Sequence, residues 1–304
     1  MPWTVRDIPA QSGRLAVVTG TGGLGFEDAL ALARAGAEVI LAGRNPDKGA
    51  AAVAAIKQQV PSASIRFAAL DLASLASVAA FAEALAGQVA AVDILINNAG
   101  VMVPPQRQET ADGFEVQLGT NYLGHFALTG RLLPLLRRSA AARVVTLSSV
   151  AARRGQINFD DLQALKAYRP MPVYSQSKLA CLIFARELQR RSTAAAWGVT
   201  SIGAHPGVAR TDLMYNAPGR FSAAGIARSV LWFLFQAVAQ GALPTLYAAT
   251  APDATPGGYY GPDRFSETRG YPTSAKVPPA ALEPGPANRL WQVSEILTGV
   301  TYPG

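Results

Sequence analysis

The 304-residue chain predicts an α/β fold in which a doubly wound parallel sheet is covered by helices on both faces. Three observations lead there. Short apolar runs alternate with longer amphipathic ones over the first two thirds of the chain, the pattern of strand–helix–strand units. The apolar runs are continuous rather than alternating, so each strand is buried on both faces, as a parallel sheet requires. The first of them leads straight into Thr19-Gly-Thr-Gly-Gly-Leu-Gly25 and a helical stretch, which places a glycine turn between the first strand and the first helix.

The elements follow in order. Strands are predicted at 14–19 (RLAVVT), 38–42 (EVILA), 65–69, 93–96 (DILI), 143–147 (RVVTL) and 199–204. Helices are predicted at 24–35, 46–59, 74–86, 115–138 and 173–195. Two of these have readable starts: Asn45 caps a helix with Pro46 at its first position, and Ser74 caps another. Right-handed crossovers between the parallel strands give the doubly wound topology. After residue 205 the alternation stops. Residues 211–250 read as helical without strand partners, and 251–286 are rich in Pro and Gly with a short strand at 258–261. Residues 286–298 (PANRLWQVSEILT) read as a final amphipathic helix. One domain is expected, with a dinucleotide-binding core at 13–210, a substrate lid at 211–265 and an extension at 266–304. No internal repeat is evident.

Composition narrows the function classes. Half the residues are hydrophobic and 15% are charged, enough for a large core and against disorder. The net charge of +7 comes from 22 Arg and 5 Lys dispersed along the chain, with Arg137-Arg138 and Arg190-Arg191 near helix C-termini, where cations suit the macrodipole. A nucleic-acid surface would need a continuous basic stripe on a recognisable module, and none is visible. The single cysteine, Cys181, excludes an internal disulfide and reads as a buried thiol of a reducing compartment. The first residues show no apolar secretory core, and the most apolar stretch, 230–235, is too short to span a bilayer. A cytoplasmic location is expected.

The motifs carry the chemistry. Gly20, Gly22, Gly23 and Gly25 allow a tight turn and close approach of backbone to a pyrophosphate, and the following helix N-terminus supplies N–H donors; Thr21 and Leu24 complete the cradle. At the end of the second strand an acidic residue would select NAD. Here the chain reads Leu41-Ala-Gly-Arg-Asn45, and Arg44 suits a bidentate grip on a 2′-phosphate, so NADP(H) is the expected cofactor. Tyr174 and Lys178 lie four residues apart on one helix face. An ammonium one turn from a phenol stabilises the phenolate, which suits the phenol to proton transfer. His125 and His205 keep no company at metal-ligand spacing and read as core or hydrogen-bonding residues; no metal is expected.

Taken together and in this order, these features resemble the short-chain dehydrogenase/reductase family, with its Rossmann fold, over nearly the whole chain. The matching segments are the turn at 19–25, Asp71 after the third strand, Asn97-Asn98-Ala99-Gly100 after the fourth, and Asn121 within Thr120-Asn-Tyr-Leu-Gly-His-Phe126. Ser148-Ser149, Tyr174-x-x-x-Lys178 and His205-Pro-Gly-Val-Ala-Arg-Thr211 complete the set. The segments 155–162 and 290–299 resemble the retinol-dehydrogenase-like and WW-domain-oxidoreductase-like branch.

The resemblance implies a mechanism. Tyr174 gives a proton to a carbonyl oxygen, Lys178 tunes it and holds the nicotinamide ribose, Ser149 hydrogen-bonds the substrate oxygen, and Asn121 connects Lys178 to a proton relay. Ser148 competes with Ser149 for its role. It further implies that Asn98, Ala99 and Gly100 line the adenosine side, that Asp71 and Leu72 hold the adenine, and that Pro206, Gly207, Val208 and Thr211 position the carboxamide end. In one respect the chain departs from the family: two residues, not three, separate the first two motif glycines, Gly20 and Gly23. The substrate expected is a small apolar carbonyl or alcohol. Phe221, Trp232, Phe233, Phe235, Tyr259 and Tyr260 supply aromatic surface in the region that covers the site, although any single one of them reads first as core. The chain is expected to form a homodimer or homotetramer. Two alternatives stay open: an NADP-binding scaffold with little turnover, and a reductase of C=C bonds.

Overall fold

A computed structural model describes residues 2–208 and 236–303. The order of elements is β1 (Leu15–Thr19), α1 (Gly23–Arg34), β2 (Glu38–Gly43), α2 (Pro46–Gln59), β3 (Ile65–Ala69), α3 (Leu75–Ala86), β4 (Ile94–Asn97), a single turn α4 (Val116–Leu118), α5 (Gly124–Leu136), β5 (Ala142–Leu147), α6 (Pro170–Ala194), β6 (Val199–Ala204), α7 (Val238–Thr250), β7 (Tyr259–Arg264), β8 (Arg269–Ser274) and α8 (Pro284–Thr298). The strands form one sheet in the order β3-β2-β1-β4-β5-β6-β7-β8. All neighbours are parallel except β7 and β8. Strand order reverses at β1, so β1 and β4 diverge into crossovers on opposite faces and leave a crevice beyond their carboxyl ends.

The continuous apolar strands fill two core layers, one on each face. Leu15 and Val17 point into the layer shared with α3, α5, α6 and α8. Ala16 and Val18 point into the layer shared with α1, α2 and α7. Both predicted caps form: the Asn45 side chain accepts from the Lys48 N–H with Pro46 at the first position, and Ser74 accepts from the Ser77 N–H. Cys181 is buried.

Three local expectations are corrected. The predicted helix 115–138 is broken by a π turn at Gly119–Leu123, and such widened turns concentrate at functional sites. Helix α6 starts at Pro170 rather than 173, because Pro170 and Pro172 fall in the first turn, where a missing N–H costs nothing. Tyr259 and Tyr260 are buried in β7, the core placement expected of any single one of these aromatics. Strand β8 was not expected: its sequence RGYPTS lacks alternation, and Pro272 is tolerated because the strand lies at the sheet edge. Phe221, Trp232, Phe233, Phe235 and Thr211 lie outside the described residues, as does the apolar stretch at 230–235. Among the described residues no helix is long and apolar enough to cross a membrane.

Candidate active site

A cavity of about 1100 Å³ opens at the carboxyl ends of β1, β2, β4, β5 and β6. The glycine turn forms its floor. Gly20 takes φ of +96° and Gly23 +55°, and α1 begins at Gly23 with its N–H groups turned to the cavity. A Cβ on Gly25 would overlap the Gly20 carbonyl oxygen and stand 2.6 Å from Asn98 Nδ2. At Gly25, then, the turn has room for backbone alone. Thr19 ties it to the loop after β4: its Oγ1 accepts from the Asn98 N–H at 2.9 Å and the Ala99 N–H at 3.0 Å, while Asn98 Nδ2 donates to the Thr19 carbonyl at 2.7 Å.

Gly20, Thr21, Gly22, Gly23 and Leu24 line the cavity, and so do Arg44, Asp71, Leu72, Asn98, Ala99 and Gly100. Gly25 lies beneath them. Asp71 accepts from the Ala73 N–H at 3.0 Å while its own N–H donates to Ser77 Oγ at 2.9 Å, so the start of the β3–α3 loop is rigid. Lys48 lines the same end as Arg44 and was missed by sequence reasoning. Its signal was present: it lies four residues after Arg44 in the first turn of a capped helix, and two cations there suit a phosphate better than one.

At the other end stand Ser148, Ser149, Tyr174, Lys178, Pro206, Gly207 and Val208. Ser148 Oγ is committed to the Lys178 carbonyl at 2.7 Å and is buried. Ser149 is partly exposed and N-caps the 3-10 turn Val150–Arg154 through the Ala151 N–H at 3.2 Å. Lys178 Nζ donates to the Leu147 carbonyl at 3.0 Å, which aims the ammonium beneath the cavity. Tyr174, one turn earlier on α6, is 8% exposed. Gly207, at φ +65°, packs against the Thr268 carbonyl, where a Cβ would overlap.

Asn121 stands behind this wall, held at both polar atoms of its side chain. Its Oδ1 accepts from the Val101 N–H at 2.7 Å, and its Nδ2 donates to the Val101 carbonyl and to Ser177 Oγ, each at 3.0 Å. Its carbonyl, freed by the π turn, accepts from Cys181 Sγ at 3.1 Å and is 2.9 Å from His125 Nδ1. His125 Nε2 lies 2.9 Å from Thr19 Oγ1. Burial lowers the His125 imidazole to about 4, and Lys178 adds to this, although the Asn121 carbonyl opposes it. The neutral ring therefore bridges the π turn and the glycine turn. Among the described residues no group of His, Cys, Asp and Glu is placed to hold a metal.

A family model described as short chain dehydrogenase matches residues 14–219. The chain belongs to the short-chain dehydrogenase family. Within it the relatives point to the retinol-dehydrogenase-like branch. Retinol dehydrogenase 12 of Mus musculus is 40% identical over 296 residues, covering 95% of this chain and 88% of that protein. Polyprenol dehydrogenase of Homo sapiens is 41% identical over 259 residues, covering 83% and 77%. Among solved structures, a putative uncharacterized protein from Mycobacterium paratuberculosis superposes with a TM-score of 0.82 at 40% identity over 100% of both chains. A short chain dehydrogenase from Shigella flexneri, solved with NADP, shares the fold with a TM-score of 0.64 at 23% identity, covering 82% of this chain and 97% of that one.

Proposed function

We propose that this short-chain dehydrogenase uses NADP(H) to interconvert an apolar carbonyl and its alcohol. The observation that carries the reading is that the glycine turn, Arg44, Ser149, Tyr174 and Lys178 line one continuous cavity. The cradle fits a dinucleotide: glycine backbone and helix N-terminus for the pyrophosphate, and Arg44 with Lys48 for a 2′-phosphate. Bound there, NADP(H) would supply or take up the hydride. Tyr174 supplies the proton to the substrate oxygen, or removes it in the oxidative direction. Lys178, fixed by the Leu147 carbonyl, brings its charge to the phenol and the ribose. Ser149 donates a hydrogen bond to the oxygen as charge develops there, a role for which Ser148 is less free because its hydroxyl is spent on the Lys178 carbonyl. Asn121 holds the wall behind Lys178. Asp71, Leu72, Asn98, Ala99 and Gly100 border the adenosine half, and Pro206, Gly207 and Val208, with Thr211 beyond the described residues, border the carboxamide half.

The relatives and the cavity together support a substrate class. Retinol and polyprenol dehydrogenases are named for isoprenoid alcohols, and the cavity wall includes Val101, Met102, Val150 and Met171. An isoprenoid aldehyde or alcohol is the substrate proposed. A cytoplasmic location, self-association as a dimer or tetramer, and the division into core 13–210, lid 211–265 and extension 266–304 belong to the same proposal. Within that lid range, α7 packs on α1 and β7 joins the sheet.

The test is a panel of apolar aldehydes and ketones, retinal and a short polyprenal among them, assayed with NADPH and NADH side by side. Turnover with NADPH that collapses in Tyr174→Phe is expected. Tight NADPH binding with no turnover on any carbonyl would favour a scaffold role, and reduction of C=C instead of C=O would replace the reaction.

A further inference from the structure

One side chain outside the cavity touches both loops at its substrate end. Glu267 lies in the β7–β8 turn, where Phe265, Ser266 and Glu267 take φ of 50°, 56° and 65°. Three consecutive non-glycine residues in that region do not persist unless the surroundings hold them. The holding contacts converge on the Glu267 carboxylate. Oε2 forms an ion pair with Arg153 Nη2 at 2.5 Å and stands 3.0 Å from His205 Nε2. Oε1 accepts from the Lys276 N–H at 3.0 Å. Burial alone would raise the carboxyl, but the bonds from His205 and Lys276 and the charge of Arg153 prevail and hold it at about 2, so it is an anion at every working pH.

Each partner leads to a different loop. Arg153 sits in the 3-10 turn Val150–Arg154 that Ser149 caps, and its Nη1 also donates to the Ser266 carbonyl at 3.0 Å. His205 accepts from the Gly207 N–H through Nδ1 at 3.2 Å. That bond requires a bare Nδ1, so Nε2 carries the proton and donates to Glu267. Burial keeps the ring neutral by lowering His205, with Glu267 opposing. The imidazole lies against Gly261, where a Cβ would overlap the ring, so it cannot swing away. Beside it the Val208 N–H donates to the Thr268 carbonyl at 2.7 Å.

We propose that Glu267 is a positioning residue: its carboxylate spans from Arg153 to His205 and fixes the turn carrying Ser149 against the loop Pro206–Val208. This rests on the reading that Pro206–Val208 border the nicotinamide half of the cofactor. The gap between substrate oxygen donor and hydride donor is thereby set by a residue that touches neither.

The experiment compares wild type with Glu267→Gln, Arg153→Met and the double variant. Amide hydrogen exchange on the unliganded chain should quicken about tenfold at both Ala151 and the Gly207–Val208 pair in Glu267→Gln, with β4 amides unchanged. Calorimetric titration should show NADP⁺ binding about tenfold more weakly while 2′,5′-ADP, which lacks the nicotinamide half, binds as to wild type. The double variant should be no worse than Glu267→Gln alone. Exchange that quickens only at 265–268, equal weakening of both ligands, unchanged NADP⁺ binding, or additive losses would each overturn the proposal. A wild-type chain that binds neither ligand sinks the nucleotide reading instead, and exchange at Ala151 and Gly207 then still decides whether Glu267 couples the loops.

Discussion

His125 makes the native state pay a measurable penalty in mild acid. The imidazole is 1% exposed, and its two nitrogens are engaged by the Asn121 carbonyl and Thr19 Oγ1. Its value falls from an ordinary 6.5 to about 4, burial being the main cause. Above pH 6.5 the folded and unfolded chains both hold a neutral ring, so the stabilisation is complete there. As pH falls below 6.5 the unfolded chain takes up a proton that the native chain refuses until about pH 4. Across that window the unfolding free energy drops by roughly 1.4 kcal/mol per pH unit, or about 3 kcal/mol in all. His125→Asn keeps a donor to the Asn121 carbonyl and removes the titration. Urea unfolding of both proteins at pH 7.5, 6.5, 5.5 and 4.5 isolates the effect, because His205, Glu267 and Asp28 are common to both. Wild type should lose about 2 to 3 kcal/mol more than the variant between pH 7.5 and 4.5. Parallel stability curves would refute the argument.

Three further outcomes are expected. Tyr174→Phe removes the proposed proton donor without emptying the cavity, so kcat should fall by roughly 10² to 10⁴ while NADPH affinity in a fluorescence titration stays within about twofold of wild type; unchanged turnover would end the proposed mechanism. Arg44→Ala should weaken NADPH by about 10- to 100-fold, the worth of a charge-assisted hydrogen bond, and leave NADH unaffected; equal effects on the two would refute NADP(H) selection. Gly25→Ala brings a Cβ to 2.6 Å from Asn98 Nδ2 and into the Gly20 carbonyl, so the chain should lose about 1–3 kcal/mol in thermal or urea unfolding together with dinucleotide affinity. A variant with wild-type stability and affinity would show that the cradle has slack.

Much of the site was legible because its residues act through local backbone geometry. The turn at Thr19–Gly25 can be read from glycine spacing alone, since each glycine answers a constraint within a few residues. Tyr174 and Lys178 share a helix face by the period of the helix. The π turn was not legible. Within it Asn121 bonds both backbone groups of Val101, a partner twenty residues away with no sequence signature. The family resemblance alone preferred Ser149 to Ser148, and what no local pattern shows is that the Ser148 hydroxyl bonds the Lys178 carbonyl.

The chain by itself determined the class of fold, the order of β1 to β6, the glycine cradle, the cation at the end of β2 and the Tyr–Lys pair. These are short-range facts, written in periodicity, capping and turn chemistry. Only the tertiary structure decided that β8 closes the edge of the sheet, that Lys48 joins Arg44, that His125 ties the π turn to the glycine turn, and that Glu267 reaches both Arg153 and His205. Each of those depends on burial and on contacts between distant segments. A polar side chain has no local signature for the partner that desolvation will force upon it.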